Sequence, residues 1–103
     1  MMYLIEEKDS GRDFHVNIGD ILQLNLEENP STGYIWLEEF QAHKIVLLKK
    51  EERVLDTISI GGTNKHIWLY EVIKDGQGML KLHYQRPWLN EPIKSFKVTI
   101  TVI

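Results

Sequence analysis

Over residues 95–103 the chain alternates without a break, with Phe96, Val98, Ile100 and Val102 on one parity and Lys97, Thr99 and Thr101 on the other. Successive side chains of a strand point to opposite faces, whereas apolar positions on a helix recur every three or four residues, so this pattern specifies a half-buried strand. The same period returns at residues 21–27, where Leu22, Leu24 and Leu26 oppose Gln23, Asn25 and Glu27. Residues 3–7 and 13–17 are short extended candidates, separated by the turn Lys8-Asp9-Ser10-Gly11 and followed by a second turn at Ile18-Gly19-Asp20. Residues 34–40 set Tyr34 and Trp36 against Ile35 and Leu37, which predicts a central strand with Trp36 in the core. Gln41-Ala42-His43-Lys44 reads as a reversal. Residues 45–53 begin β-branched and apolar and end in Lys49-Lys50-Glu51-Glu52-Arg53, a mixed charge run expected on a solvated face. Residues 66–73 are bulky on both faces, and Asp75-Gly76-Gln77-Gly78 predicts a hairpin that pairs them with residues 79–85 through Leu80, Leu82 and Tyr84. With no internal repeat or low-complexity tract, strands at this spacing predict an all-β chain folded as an immunoglobulin-like antiparallel β-sandwich.

A length of 103 residues with 43% hydrophobic and 26% charged composition fits a single domain over residues 1–103. The chain has no cysteine, so packing must supply its stability, and it carries neither a thiolate metal site nor a thiol nucleophile. A net charge of -3 without a basic stripe argues against a nucleic-acid partner. No apolar run approaches the roughly 20 residues that cross a bilayer, so no membrane partner is expected. The opening Met1-Met2-Tyr3-Leu4-Ile5-Glu6-Glu7 lacks a basic start and a long apolar run. A cytoplasmic monomer is the expectation, with a secreted or periplasmic protein as the alternative if a leader has been removed.

If each strand from residue 21 onward spans the sandwich and alternates in direction, the connections at 28–33, 54–65 and 86–94 fall at one end. Those at 41–44 and 74–78 fall at the other. The first of the three holds Asn29-Pro30-Ser31-Thr32-Gly33-Tyr34-Ile35-Trp36. Pro30 fixes its own φ and biases Asn29 toward extended geometry, and Gly33 admits the positive φ of a tight exit. The tip is therefore stiff, with the Ser31 and Thr32 hydroxyls and their unpaired amides exposed and Tyr34 and Trp36 anchoring one face. An ordinary hairpin turn leading to a core tryptophan also describes these residues. The second connection is about a dozen residues without periodicity, long for a loop without function; its Gly61 and Gly62 suit either close backbone approach or simple flexibility. In the third, Pro87 and Pro92 are incompatible with a central strand and hold Trp88 in a restricted turn beside Arg86. Trp and Arg are common binding hot spots, and a tryptophan lid over the core is the structural alternative.

The octet resembles the Asn-Pro-Thr-Thr-Gly-Phe/Tyr-x-Trp motif of the chagasin family of cysteine-protease inhibitors, with Ser31 in place of the first Thr. Ile60-Gly61-Gly62-Thr63 is similar to the end of that family's Gly-x-Gly-Gly-Thr loop, Ser59 replacing its first Gly, and Tyr84-x-Arg86-Pro87-Trp88 resembles its Arg-Pro-Trp motif. The three motifs occur in the family's order. The resemblance implies a reversible, noncovalent inhibitor of papain-like cysteine proteases. The loop Asn29, Pro30, Ser31, Thr32, Gly33 with Tyr34 would enter the active-site cleft, Thr32 closest. It would be straddled by Ile60, Gly61, Gly62 and Thr63 on one side and by Arg86, Pro87 and Trp88 on the other.

Enzyme chemistry finds little footing. His15, His43, His66 and His83 lack metal-ligand spacing, so no metal or other cofactor is expected. Glu27-Glu28, Glu38-Glu39 and Glu51-Glu52 are adjacent on strands and point to opposite faces, and Ser31 and Ser59 lack a nucleophile-elbow context. The rival reading is a carbohydrate-binding or adhesion sandwich, which also displays exposed aromatics.

Overall fold

The computed structural model describes residues 1–40, 44–55 and 64–103. They form β1 (Met2–Glu6), a 3-10 turn (Glu7–Asp9), β2 (Asp13–Val16), β3 (Ile21–Glu28), a second 3-10 turn (Pro30–Thr32), β4 (Ile35–Phe40), β5 (Val46–Leu55), β6 (Asn64–Val72), β7 (Gly76–Gln85) and β8 (Lys94–Val102). Two four-stranded sheets result, ordered β1-β3-β6-β5 and β2-β8-β7-β4. Every pairing is antiparallel except β1 with β3 and β2 with β8, the two places where a short strand is added to a sheet edge.

The core lies between the sheets, on the parities that the alternation selects. Leu22, Leu24 and Leu26 of β3 and Trp68, Tyr70 and Val72 of β6 meet Leu80, Leu82 and Tyr84 of β7 and Phe96, Val98, Ile100 and Val102 of β8. Trp36, 2% exposed, closes this core from β4.

Three pairings depart from the sequence reading. Strand β4 is not central: it is the outer strand of its sheet, with Ile35 and Leu37 only half-buried. Its apolar residues on both parities suggested two covered faces, whereas the adjacent Glu38-Glu39 are the charges typical of a protected edge. The strands over 66–73 and 79–85 do not form a hairpin. β6 has both edges occupied, by β3 and β5, and β7 is likewise flanked by β8 and β4, so residues 73–75 cross from one sheet to the other. The third departure is in β5, whose register with β6 shifts between Leu48 and Lys50. Before this bulge Leu48 opposes Tyr70; after it Glu51 opposes Trp68 and Arg53 opposes His66. A bulge adds one residue and exchanges the two faces of the strand, so part of the charge run turns inward although most of its length is solvated. Of the reversal at 41–44, residues 41–43 lie outside the described residues.

The ends of the sandwich fall as the alternation in direction requires. Ile73 N–H donates to the Ile45 carbonyl at 2.9 Å, which brings the connections before β5 and before β7 together at one end. At the other, Glu28 of β3 stands opposite Asn64, the first residue of β6, and Asn64 in turn opposite Leu55, the last residue of β5.

Leu82 is fully buried in a strand paired on both sides. Leu82→Ala is expected to lower unfolding stability by about 2–5 kcal/mol, measured as a fall in the urea midpoint with the denaturant slope unchanged.

Candidate functional site

The first loop is a hydrogen-bonded knot centred on Asn29. Its carbonyl accepts from Thr32 N–H at 3.2 Å and from the Thr32 hydroxyl at 2.7 Å, and its side-chain oxygen accepts from the Ser31 hydroxyl at 2.6 Å. The Thr32 amide is therefore paired within the loop, contrary to the free amides expected at the tip. Proline-fixed φ at the first position makes this 3-10 turn inexpensive to form, and Gly33, at a φ of 83°, reverses the chain into β4 as its lack of a Cβ permits. Ser31 and Thr32 remain exposed at the apex. From below, Asn29 N–H donates to the Tyr84 hydroxyl of β7 at 3.0 Å.

The third loop is built against the first. Leu89 N–H donates to the Arg86 carbonyl at 3.0 Å, closing a turn with Pro87 and Trp88 at its two central positions. Trp88 is 70% exposed and is not a lid on the core. Its ring edge instead abuts Gly33, where an added Cβ would come within 3.0 Å of Trp88 Cη2. Arg86 Nε donates to the Thr32 carbonyl at 3.3 Å, and its guanidinium lies 4.8 Å above the Tyr34 ring. Tyr34 stacks on Tyr84, with ring centres 5.6 Å apart, and Tyr84 lies 4.9 Å from Trp36. A column from Trp36 through Tyr84 and Tyr34 to Arg86 thus joins the core to the loop tip, and Asn29, Ser31, Thr32, Gly33, Tyr34, Arg86, Pro87 and Trp88 come together on one rim with Pro30. Of the second loop, Ile60, Gly61, Gly62 and Thr63 lie outside the described residues.

Beneath the rim sits a group that the sequence reading left at the boundary between strand and connection, without a role. Glu28 is 1% exposed. One carboxylate oxygen accepts from Trp36 N–H at 2.9 Å and faces His66 Nδ1 at 3.0 Å, and the other accepts from Arg53 Nε at 2.9 Å. On its far side, His66 Nε2 lies 2.7 Å from a Glu51 oxygen, and the ring stacks on Trp68 at 3.7 Å. Burial by itself would raise the Glu28 carboxyl, but the bonds from His66, the Trp36 amide and Arg53 outweigh it and hold the pKa down to about 2. Nearby, Tyr70 donates to Glu38 at 2.5 Å, and burial together with the Glu51 charge keeps the Glu38 carboxyl above its ordinary value. Glu28 was legible in principle: it continues the parity of Leu22, Leu24 and Leu26, so the alternation already assigned it to the buried face. Arg53 was not, because the bulge in β5 inverts the parity on which such an assignment depends.

The family model for the chagasin family peptidase inhibitor I42 matches residues 15–101. Amoebiasin-2 of Entamoeba histolytica is 27% identical over 107 residues, spanning 98% of this chain and 85% of that protein. Among solved structures, the cysteine protease inhibitor EhICP2 from Entamoeba histolytica superposes with a TM-score of 0.90 at 24% identity, over 99% of this chain and 96% of that one. PbICP-C, solved in complex with falcipain-2, superposes with a TM-score of 0.59 at 18% identity, over 100% and 90% of the two chains. At these identities the structural likenesses establish a shared fold.

Two outcomes are expected. Glu28 has a depressed folded-state pKa, so its contribution is complete above about pH 4.5 and is lost as pH falls toward 2. The loss should reach about 3 kcal/mol in unfolding free energy, and Glu28→Gln should remove that share of the pH slope; Glu38, shifted the other way, contributes with opposite sign. Gly33→Ala should cost about 1–2 kcal/mol through the positive φ and displace Trp88, seen as a lower melting temperature and a shifted Trp88 indole proton resonance.

Proposed function

The chain belongs to the chagasin family of peptidase inhibitors, and from that premise we propose that it inhibits papain-like cysteine proteases reversibly and without a covalent bond. In this reading the apex Asn29–Gly33 enters the active-site cleft with Thr32 foremost. The segment from Ile60 to Thr63, with Gly61 and Gly62, follows one edge of the cleft. Arg86, Pro87 and Trp88 cover the other, the indole stacking on an aromatic surface of the protease. The carrying observation is the exposed Trp88 indole braced against Gly33 at the foot of an exposed polar apex.

The loop's hydrogen bonds also account for an inhibitor that resists cleavage. Attack by a protease thiolate requires a substrate carbonyl to swing into an oxyanion hole. Here the Asn29 carbonyl is held by Thr32 and the Thr32 carbonyl by Arg86. A wedge already in its bound shape loses little conformational freedom on docking, so more of the interface contributes to affinity. Arg86 acts mainly from within, fastening the apex to Tyr34, and offers the protease its remaining guanidinium hydrogens. The likeness to a cysteine protease inhibitor and to a fold solved with falcipain-2 supports the choice of target class.

Titration of papain should give dose-dependent competitive inhibition. Trp88→Ala and Thr32→Ala should each raise the inhibition constant about tenfold or more, the first by removing the exposed anchor and the second by removing the apex hydroxyl and, with it, the shorter of the two bonds that hold the Asn29 carbonyl. Papain activity unchanged by a molar excess of protein, together with saturable glycan binding, would replace this reading with that of a carbohydrate-binding module.

A further inference from the structure

We propose that Glu28 is a positioning residue for inhibition, an anchor that fixes the first loop relative to the strands carrying the second. The inference rests on the inhibitor reading and concerns a side chain that touches no protease. Glu28 ends β3, immediately before the apex, and its carboxylate binds the Trp36 amide, just inside the strand that leaves the apex. The same carboxylate binds Arg53, near the end of β5, and His66, near the start of β6, the two strands that lead into and out of residues 56–63. Arg53 and His66 stand opposite each other in the ladder, so one carboxylate holds both sides of that stem.

This arrangement is more than a buried ion pair serving the core. Trp36 belongs to one sheet and Arg53 and His66 to the other, so the contacts of Glu28 cross between the sheets at the rim where the loops emerge. Charge is what makes the anchor stiff: an ionised carboxylate accepts stronger bonds, and from more donors, than an amide of the same size. The groups facing it are His66 of β6, Arg53 of β5 and the Trp36 amide of β4, with Glu51 of β5 behind His66 and the Glu38–Tyr70 pair beyond. A protease cleft that must receive two loops at once gains more affinity when their separation is set beforehand, since freedom between them is lost on docking.

The test compares papain inhibition constants for wild type, Glu28→Gln, Arg53→Gln, the double variant and Leu82→Ala. Leu82→Ala weakens the core without touching the rim and serves as the measure of general loosening. Glu28→Gln is expected to raise the inhibition constant about tenfold and Arg53→Gln a few-fold, with the double variant no weaker than Glu28→Gln alone because both act through one anchor. Leu82→Ala, assayed where it is folded, should inhibit like wild type. Amide exchange at Trp36 should accelerate in Glu28→Gln and not in Leu82→Ala. If Glu28→Gln fails to fold, Arg53→Gln, altered at a half-exposed side chain, carries the test by its inhibition constant. Unchanged constants in the Glu28 and Arg53 variants, or an equal loss in Leu82→Ala, would overturn the positioning role while wild type still inhibits. A wild type inert toward papain overturns the inhibitor reading itself and the proposal with it.

Discussion

A carboxylate withdrawn from water at the end of β3 sets the terms for everything around it. An isolated buried charge is costly enough that a protein either neutralises it or surrounds it with donors. Glu28 is surrounded: a backbone amide from β4, a guanidinium from β5 and an imidazole from β6 converge on its two oxygens. These donors come from separate strands, so the charge is satisfied only when both sheets and three strand ends stand in their native places. Removing one partner strands the others, which makes the group a strict condition on the geometry of the rim.

The bulge in β5 follows from the same requirement. A regular strand after Leu48 would direct Lys50 and Glu52 toward the interior and Glu51 and Arg53 toward solvent, leaving Glu28 without a guanidinium and His66 without its second carboxylate. One extra residue exchanges these faces. An apparently ordinary solvated charge run therefore contributes two side chains to a buried network, and most of the rest stays exposed, including an Lys50–Glu52 pair at 3.4 Å.

Rigidity at the tip has a second source, independent of charge. Tyr84 supports the first loop through its hydroxyl and supports Tyr34 and Trp36 through its ring. Arg86 then caps Tyr34 and ties the third loop to the Thr32 carbonyl. Stacked rings resist sliding and the hydrogen bonds at each end fix their rotation, so the exposed Ser31, Thr32 and Trp88 rest on a braced column instead of on a free loop. An arrangement of this kind suits a protein whose work is to present a surface and remain intact while bound.

Much of the sandwich can be read from the chain because side-chain parity is a local property of an extended backbone. The inward residues of β3 and β8, the core position of Trp36, the stiff turn around Pro30 and the three family motifs all follow from neighbouring residues alone. That parity even extends to Glu28, once the alternation of β3 is carried one step further. Strand partnership is not local. The pairing of β6 with β3 and β5 instead of β7, the edge position of β4, the bulge that turns Arg53 inward and the packing of Trp88 on Gly33 depend on which edges and charges arrive from distant parts of the chain. Residues in sequence thus determined which faces are buried and where the loops turn; only the folded chain decided which side chains meet, because burying one carboxylate is tolerable solely where donors from three other strands converge.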